Sequence, residues 1–212
     1  MLKHTGRYFR EWTTSVVSIK RFFSDKRAGG FISDLHELRA NKGKLSEASD
    51  FPCSAKSAAL MPSVKGVSLS NKDITLPDEL YGFVSLVLLS FRQLGWKMNN
   101  HYREPFAQEY SGHANVKIYD VSVYSYILLR IIPGWIKRNL HRKIDKKDHD
   151  NFICYFGSFS EQQRVLKLHN QLVGHAFLVD ARGRVRWRAH AVPTDREVKA
   201  MIRSTRHLVA EL

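Results

Sequence analysis

The sequence predicts an α/β fold built on a mixed, mainly parallel sheet with helices on both faces, and three observations predict it. Phe83–Phe91 reads FVSLVLLSF, an almost unbroken apolar run of strand length, which suits a central strand buried on both faces. Further strand-like runs, Val116–Val123 and Phe152–Phe156, then alternate with helical stretches, the order of a sheet crossed by helices. Near the C-terminus, Ala176–Val179 and Val185–Ala189 flank Asp180-Ala181-Arg182-Gly183, a hairpin with glycine at the tight position.

The elements follow in chain order. Residues 1–23 hold five Lys/Arg and one acid, Glu11, with Ser and Thr interleaved among Val, Ile, Phe and Trp. That is the composition of a mitochondrial transit peptide, a cationic amphipathic helix, and Arg21-Phe22-Phe23-Ser24 is similar to a matrix-processing site. Residues 24–58 read as a linker: Gly29-Gly30 oppose helix, and Lys, Ser, Ala and Asp dominate from Asn41 to Ser57, leaving one short helical stretch at Phe31–Arg39. Residues 59–212 are the folded domain. It opens with a hairpin, Val67–Leu69 and Ile74–Leu76 around Ser70–Asp73. After the central strand comes a polar stretch with Gly95, then a helix over Glu104–Tyr110. Tyr124–Ile144 is a long helical pattern in which Pro133-Gly134 predicts a kink or break. Ser158 with Glu161 forms a capping box for a helix to about Leu168. Thr194 with Glu197 forms a second one, before Val198, Met201, Ile202, Leu208, Val209 and Leu212 on one helical face.

The C-terminal hairpin and closing helix on such a sheet describe a thioredoxin-like domain, and the leading hairpin ending in Thr75-Leu76-Pro77 resembles the peroxiredoxin and copper-chaperone branch. Redox members of this fold place cysteine just after the first core strand, at a helix N-terminus where the dipole favours the thiolate. Arg92–Phe106 contains no cysteine, and the approach to the late hairpin, Leu172-Val173-Gly174-His175, lacks the proline these folds use. Cys154 sits in a buried strand and reads as an apolar packing residue; Cys53 lies in the linker. Ten scattered histidines form no zinc-like cluster, and no phosphate-cradling GxxxxGK[ST] is present. The expectation is a protein without catalytic residues, cofactor or metal.

Leu178-Val179-Asp180-Ala181-Arg182-Gly183-Arg184-Val185-Arg186-Trp187, followed by Glu197, resembles the signature of the mitochondrial ATP synthase assembly factor Ten family. The stretch from Pro62 to Leu80, the strand at Phe83, Gly95–Phe106, and Asn170 ahead of the hairpin match in order, so the similarity covers roughly Met61–Leu212. The sequence departs from the family pattern at Arg188-Ala189-His190-Ala191. The resemblance implies a non-enzymatic factor on the matrix side of the inner mitochondrial membrane, peripherally associated with it, that helps the Fo subunit a of ATP synthase mature and join the ring.

The formal net charge is +14, with pI near 9.9; removing residues 1–23 lowers it by four, to +10. Such an excess favours acidic partners. Two segments concentrate it. Arg182, Arg184, Arg186 and Arg188 read either as a basic ridge beside Trp187 at an interface or as the solvated side of an alternating strand. Lys137, Arg138, Arg142 and Lys143, continued by Lys146 and Lys147, follow the apolar half-segment Tyr126–Ile136 and read either as a solvated helix end or as a contact with an anionic membrane surface. RNA phosphates fit the same charge, so a component or assembly factor of the mitochondrial ribosome, binding ribosomal RNA and proteins, is the alternative.

Overall fold

The computed structural model describes residues 28–40, 44, 46–125 and 133–212; the segment read as a transit peptide lies outside the described residues. In chain order the elements are α1 (Ala28–Ala40), β1 (Val64–Ser68), β2 (Asp73–Leu76), β3 (Val84–Ser90), α2 (Gln93–Tyr110), β4 (Val116–Tyr124), α3 (Pro133–His141), β5 (Phe152–Phe156), α4 (Ser160–Leu166), β6 (His175–Val179), β7 (Val185–His190) and α5 (Asp195–Val209), with short 3-10 turns at Asp78–Leu80 and Lys146–Asp148.

The seven strands form one sheet in the order β2-β1-β5-β4-β3-β6-β7. The sheet is mixed, as expected, but not mainly parallel: parallel pairing is confined to the central strands, β3 with β4 and β4 with β5, because hairpins flank them on both sides. The flanking pairs β1–β2, β1–β5, β3–β6 and β6–β7 are antiparallel. All seven residues of β3 are buried, as its composition predicts, because helices cover both faces. On one side Leu86 and Leu88 meet Tyr102 and Phe106 of α2 and Met201 and Leu208 of α5. On the other, Val87 and Leu89 join Tyr119, Ile153, Phe177 and Leu166 of α4. Each such aliphatic side chain stabilises the fold by roughly 1.5–3 kcal/mol.

The late hairpin turns where the sequence places it. The Asp180 carboxylate accepts from the amides of Arg182 and Arg184, both at 3.0 Å, and Gly183 holds φ at +74°, a conformation open to glycine. The Thr194–Glu197 capping box is formed.

Several local expectations are corrected. The helix expected from Glu104 begins at Gln93 and runs through Pro105, because Gly95, Asn99, Tyr102 and Phe106 make one buried face whose contacts outweigh the donor lost at proline. α3 is described from Pro133; proline suits a first helical position, where its missing N–H has no partner to lose. β4 continues to Tyr124, and residues 126–132 of the expected helical pattern lie outside the described residues. The Ser158–Glu161 box is not formed: α4 begins at Ser160 with no side-chain cap, and the Ser158 hydroxyl meets Ser160 Oγ at 3.1 Å. The first hairpin strand starts at Val64 and stops before Leu69, and Leu212 is exposed beyond the end of α5.

Within the stretch read as a linker, α1 contains Gly29-Gly30 in its first turn, where the amides lack helical partners in any case. Residues 44 and 46–60 form a strap along the free edge of β7. Cys53 N donates to Arg186 O at 2.7 Å, Val185 N to Ala59 O at 2.8 Å and Met61 N to Gly183 O at 2.8 Å.

Candidate functional site

In thioredoxin-like folds the redox centre sits where β3 hands over to α2, facing the loop before β6. Here Arg92 is the extended N-cap of α2 without a side-chain cap, and Leu172-Val173-Gly174 lies directly against the first turns of the helix. A Cβ on Gly95 would stand 2.8 Å from Val173 O, and one on Gly174 would stand 2.1 Å from Asn99 Oδ1 and 2.3 Å from Gly95 O. The two backbones touch, and neither side has room for another carbon. Asn99 Nδ2 donates to Leu89 O at 3.1 Å, tying helix to strand.

Helix α1 covers this junction. Leu38, 2% exposed, packs with Val173 and Ala191, with Met98 at the margin. Asp34 Oδ2 accepts from Gln171 N at 2.9 Å, and Asn170 Nδ2 donates to Asp34 O at 2.9 Å and to Glu37 Oε2 at 3.0 Å. Burial raises the Asp34 carboxyl. Beneath, His175 contacts Asn170 O through Nε2 at 2.9 Å, and burial lowers the imidazole to about 4, so it is neutral at neutral pH and donates to that carbonyl. The thiols are elsewhere. Cys154 packs with Leu69 and Phe152, and burial pushes it up to about 12, leaving it a protonated thiol. Cys53 is exposed on the strap.

The structure divides the arginine series. Arg186, only 4% exposed, donates to Asp180 at 3.2 Å, to Glu211 at 2.7 and 3.0 Å and to Cys53 O at 2.7 Å. Arg184 pairs with Asp180 at 2.8 Å. Burial pushes the Asp180 carboxyl up, but hydrogen bonds from the Arg184 amide, the Arg186 guanidinium, the Arg182 amide and the Arg184 guanidinium outweigh it and hold it low. Trp187 is buried, its Nε1 donating to Ser49 O at 2.8 Å. No continuous ridge results. Only Arg182 and Arg188 stand exposed, because the strap covers the edge that a bare β7 would show.

The second basic segment is differently placed. Lys137 is half-buried and donates to Asn71 Oδ1, while Arg138, Arg142 and Lys143 are exposed beside Trp135, itself 62% exposed. The opposite side of α3 is anchored: Ile136 is buried, and Leu140 and Ile144 pack on Leu69, Phe152 and Cys154.

A charged cluster that sequence reading did not single out lies between these regions. Arg103 of α2 bonds Asp120 of β4 and lies 2.7 Å from Asp148. Burial raises Asp120 to about 6, against the lowering effect of Arg103. The cluster borders a groove of about 510 Å³ whose lining includes Tyr110, Lys117, Asp145 and Lys147. The only signal in the sequence was an acid within an otherwise alternating strand; its partner stands 17 residues earlier.

These features define a thioredoxin-like protein whose redox position is closed by backbone contact and roofed by its own helix. The sequence pattern described as ATP10 protein matches residues 20–208, and the chain belongs to that family. A Schizosaccharomyces pombe relative, described as "Probable mitochondrial ATPase complex subunit atp10", is 26% identical over 181 residues, covering 84% of this chain. The chain spans 65% of that relative's length. Among solved structures, a secreted thiol-disulfide isomerase from Corynebacterium glutamicum superposes with a TM-score of 0.52 at 11% identity, covering 76% of this chain and 91% of that one. A DsbF homologue from Corynebacterium diphtheriae gives 0.50 at 11%, covering 72% and 91%. BsSco, a member of the Sco family of cytochrome c oxidase assembly proteins, gives 0.50 at 14%, covering 73% and 95%. At such identities the likeness is one of fold.

Proposed function

We propose that this chain is a non-catalytic mitochondrial assembly factor that chaperones the membrane sector of ATP synthase, with Fo subunit a as its client. Residues 1–23 act as the transit peptide, and the protein works on the matrix side of the inner membrane, held there peripherally. The observation that carries this reading is the closed junction of Gly95, Gly174 and α1. A fold whose relatives include oxidoreductases here keeps its scaffold and fills its reactive corner with packing, which leaves surface recognition as its means of action. Membership of the ATP10 protein family supports the same client complex. No helix among the described residues is long and apolar enough to cross a membrane, in keeping with peripheral attachment.

The test is affinity purification of the tagged protein from gently solubilised mitochondria. Recovery of subunit a with other unassembled membrane-sector subunits, and loss of assembled ATP synthase on depletion, is the expected result. Recovery of ribosomal RNA and ribosomal proteins instead would transfer the domain to ribosome assembly and overturn the proposal.

A further inference from the structure

The strongest surface feature of the molecule is the outer face of α3. Trp135 and Arg138 stand three residues apart on α3 and so share a face, and Arg142 follows in the turn directly after the helix. Trp135 is 62% exposed, and no ring of a described residue stacks on it. Arg138, Arg142, Lys143, Lys146 and Lys147 are all exposed, and none forms an ion pair among the described residues. Some exposed cations elsewhere are paired, as Arg196 and Arg203 are with Asp50 and Arg206 is with Glu109, and others, such as Lys97, Arg164 and Arg188, stand exposed singly without an ion pair among the described residues; the segment from Arg138 to Lys147 differs in gathering five such cations next to one exposed indole. These cations, Arg138 in α3 and the other four in the turns that follow it, outnumber the one exposed acid among them, Asp145, and form a net positive field around an exposed indole. Ile136, Leu140 and Lys137 fasten the helix to the domain from the other side, so this face is presented in a fixed orientation.

We infer that this face docks on an anionic lipid bilayer, with Trp135 entering the headgroup region and the five cations meeting lipid phosphates. Indole rings favour the membrane–water interface, and neighbouring Lys and Arg add attraction to an anionic leaflet. Charge complementarity selects a phosphate-bearing partner. Shape selects a surface over a strand of RNA, since single-stranded nucleic acid is held in a basic groove with stacking platforms. Lys147 lines the groove beside Arg103, and the other four stand exposed outside that groove. The inference deepens the proposed peripheral attachment and rests on that reading for its biological setting, but the binding is a property of the purified chain.

The experiment is flotation of the full chain with phosphatidylcholine vesicles, with and without cardiolipin. Wild type floats with the cardiolipin vesicles. Arg138→Glu/Arg142→Glu weakens this by about tenfold or more and Trp135→Ala by several-fold, while Arg182→Glu/Arg188→Glu, the same charge change elsewhere on the surface, leaves it within about twofold. Equal loss in both double variants would mean attraction by net charge alone and would overturn the inference. So would undiminished flotation of the α3 variants, or retention of a homopolymer RNA that the α3 variants abolish while vesicle binding persists. Because all five altered residues are exposed, circular dichroism and melting temperature should match wild type. Variants at Trp135, Arg138 and Arg142 that float as well as wild type, while the chain still recovers ATP synthase subunits, would overturn only the docking face, whereas a wild type that floats without those subunits would overturn only the client.

Discussion

The Lys44 ammonium lies 2.6 Å from the Glu197 carboxylate, joining the N-terminal strap to the first turn of α5. Glu197 also accepts from the amides of Ala48 and Thr194, each at 2.8 Å. Burial pushes its carboxyl up, but hydrogen bonds from Lys44 and from those amides outweigh the desolvation and hold it low. One carboxylate thus serves as helix cap and as anchor for a segment 150 residues away.

Glu197→Ala should therefore cost more than a lost cap. A cap alone is worth about 1 kcal/mol, and removing a buried ion-pair partner adds to it, for a total on the order of 3 kcal/mol. Denaturant unfolding gives the stability. Hydrogen exchange gives the location, with faster exchange expected at residues 46–53. A loss under 1 kcal/mol with the strap still protected would show that Glu197 does not anchor it.

Arg186→Ala and Arg188→Ala separate the buried from the solvated arginine. Breaking the Asp180–Arg186–Glu211 cluster should destabilise by about 3 kcal/mol, whereas the exposed Arg188 should change stability by no more than about 0.5 kcal/mol. Equal effects in thermal melts would contradict the assignment.

The two cysteines should differ in reactivity. Under native conditions a thiol-specific reagent should label Cys53 and spare Cys154, whose burial and raised pKa suppress the thiolate. Both should react once the chain is unfolded. Rapid labelling of Cys154 in the folded protein would mean that β5 is less enclosed than the packing with Leu69 and Phe152 requires.

His175 supplies a pH dependence of known sign. Its folded pKa of about 4 lies below the ordinary imidazole value of 6.5, so the unfolded chain binds the extra proton between these values. Its contribution is complete above about pH 6.5 and is lost as pH falls toward 4, in total on the order of 3 kcal/mol. Asp120 acts in the opposite direction over part of that window: its pKa is raised to about 6, so its contribution declines as pH rises toward 6. Comparison of wild type with His175→Gln isolates the histidine. The variant should lose less stability between pH 7 and pH 4.5, and identical slopes would refute the assignment.

Gly174→Ala should destabilise the closed junction by about 2 kcal/mol or more, since the new methyl would meet Asn99 and the Gly95 carbonyl. A neutral effect in denaturant melts would show that the loop before β6 can withdraw from α2.

Signals confined to a few neighbouring residues were legible in the sequence. The apolar run of β3, the Asp180–Gly183 turn and the Thr194–Glu197 cap each depend on one contiguous stretch of chain, so they appear as patterns whatever the rest of the chain does. The missing cysteine at the head of α2 was equally plain. Tertiary structure alone decided the features that join distant parts. The first turns of α2 bury Gly95 and Asn99, residues without an apolar signature, because a loop some 80 residues later needs a backbone to lie against. Arg186 is internal because Glu211, 25 residues on, and the strap carbonyl of Cys53 neutralise and hydrogen-bond it; by local alternation it belonged in solvent. Arg138 and Arg142 are exposed, and among the described residues neither forms an ion pair. A charge is buried or left free according to the partners that folding brings to it, and those partners lie beyond the reach of any local pattern.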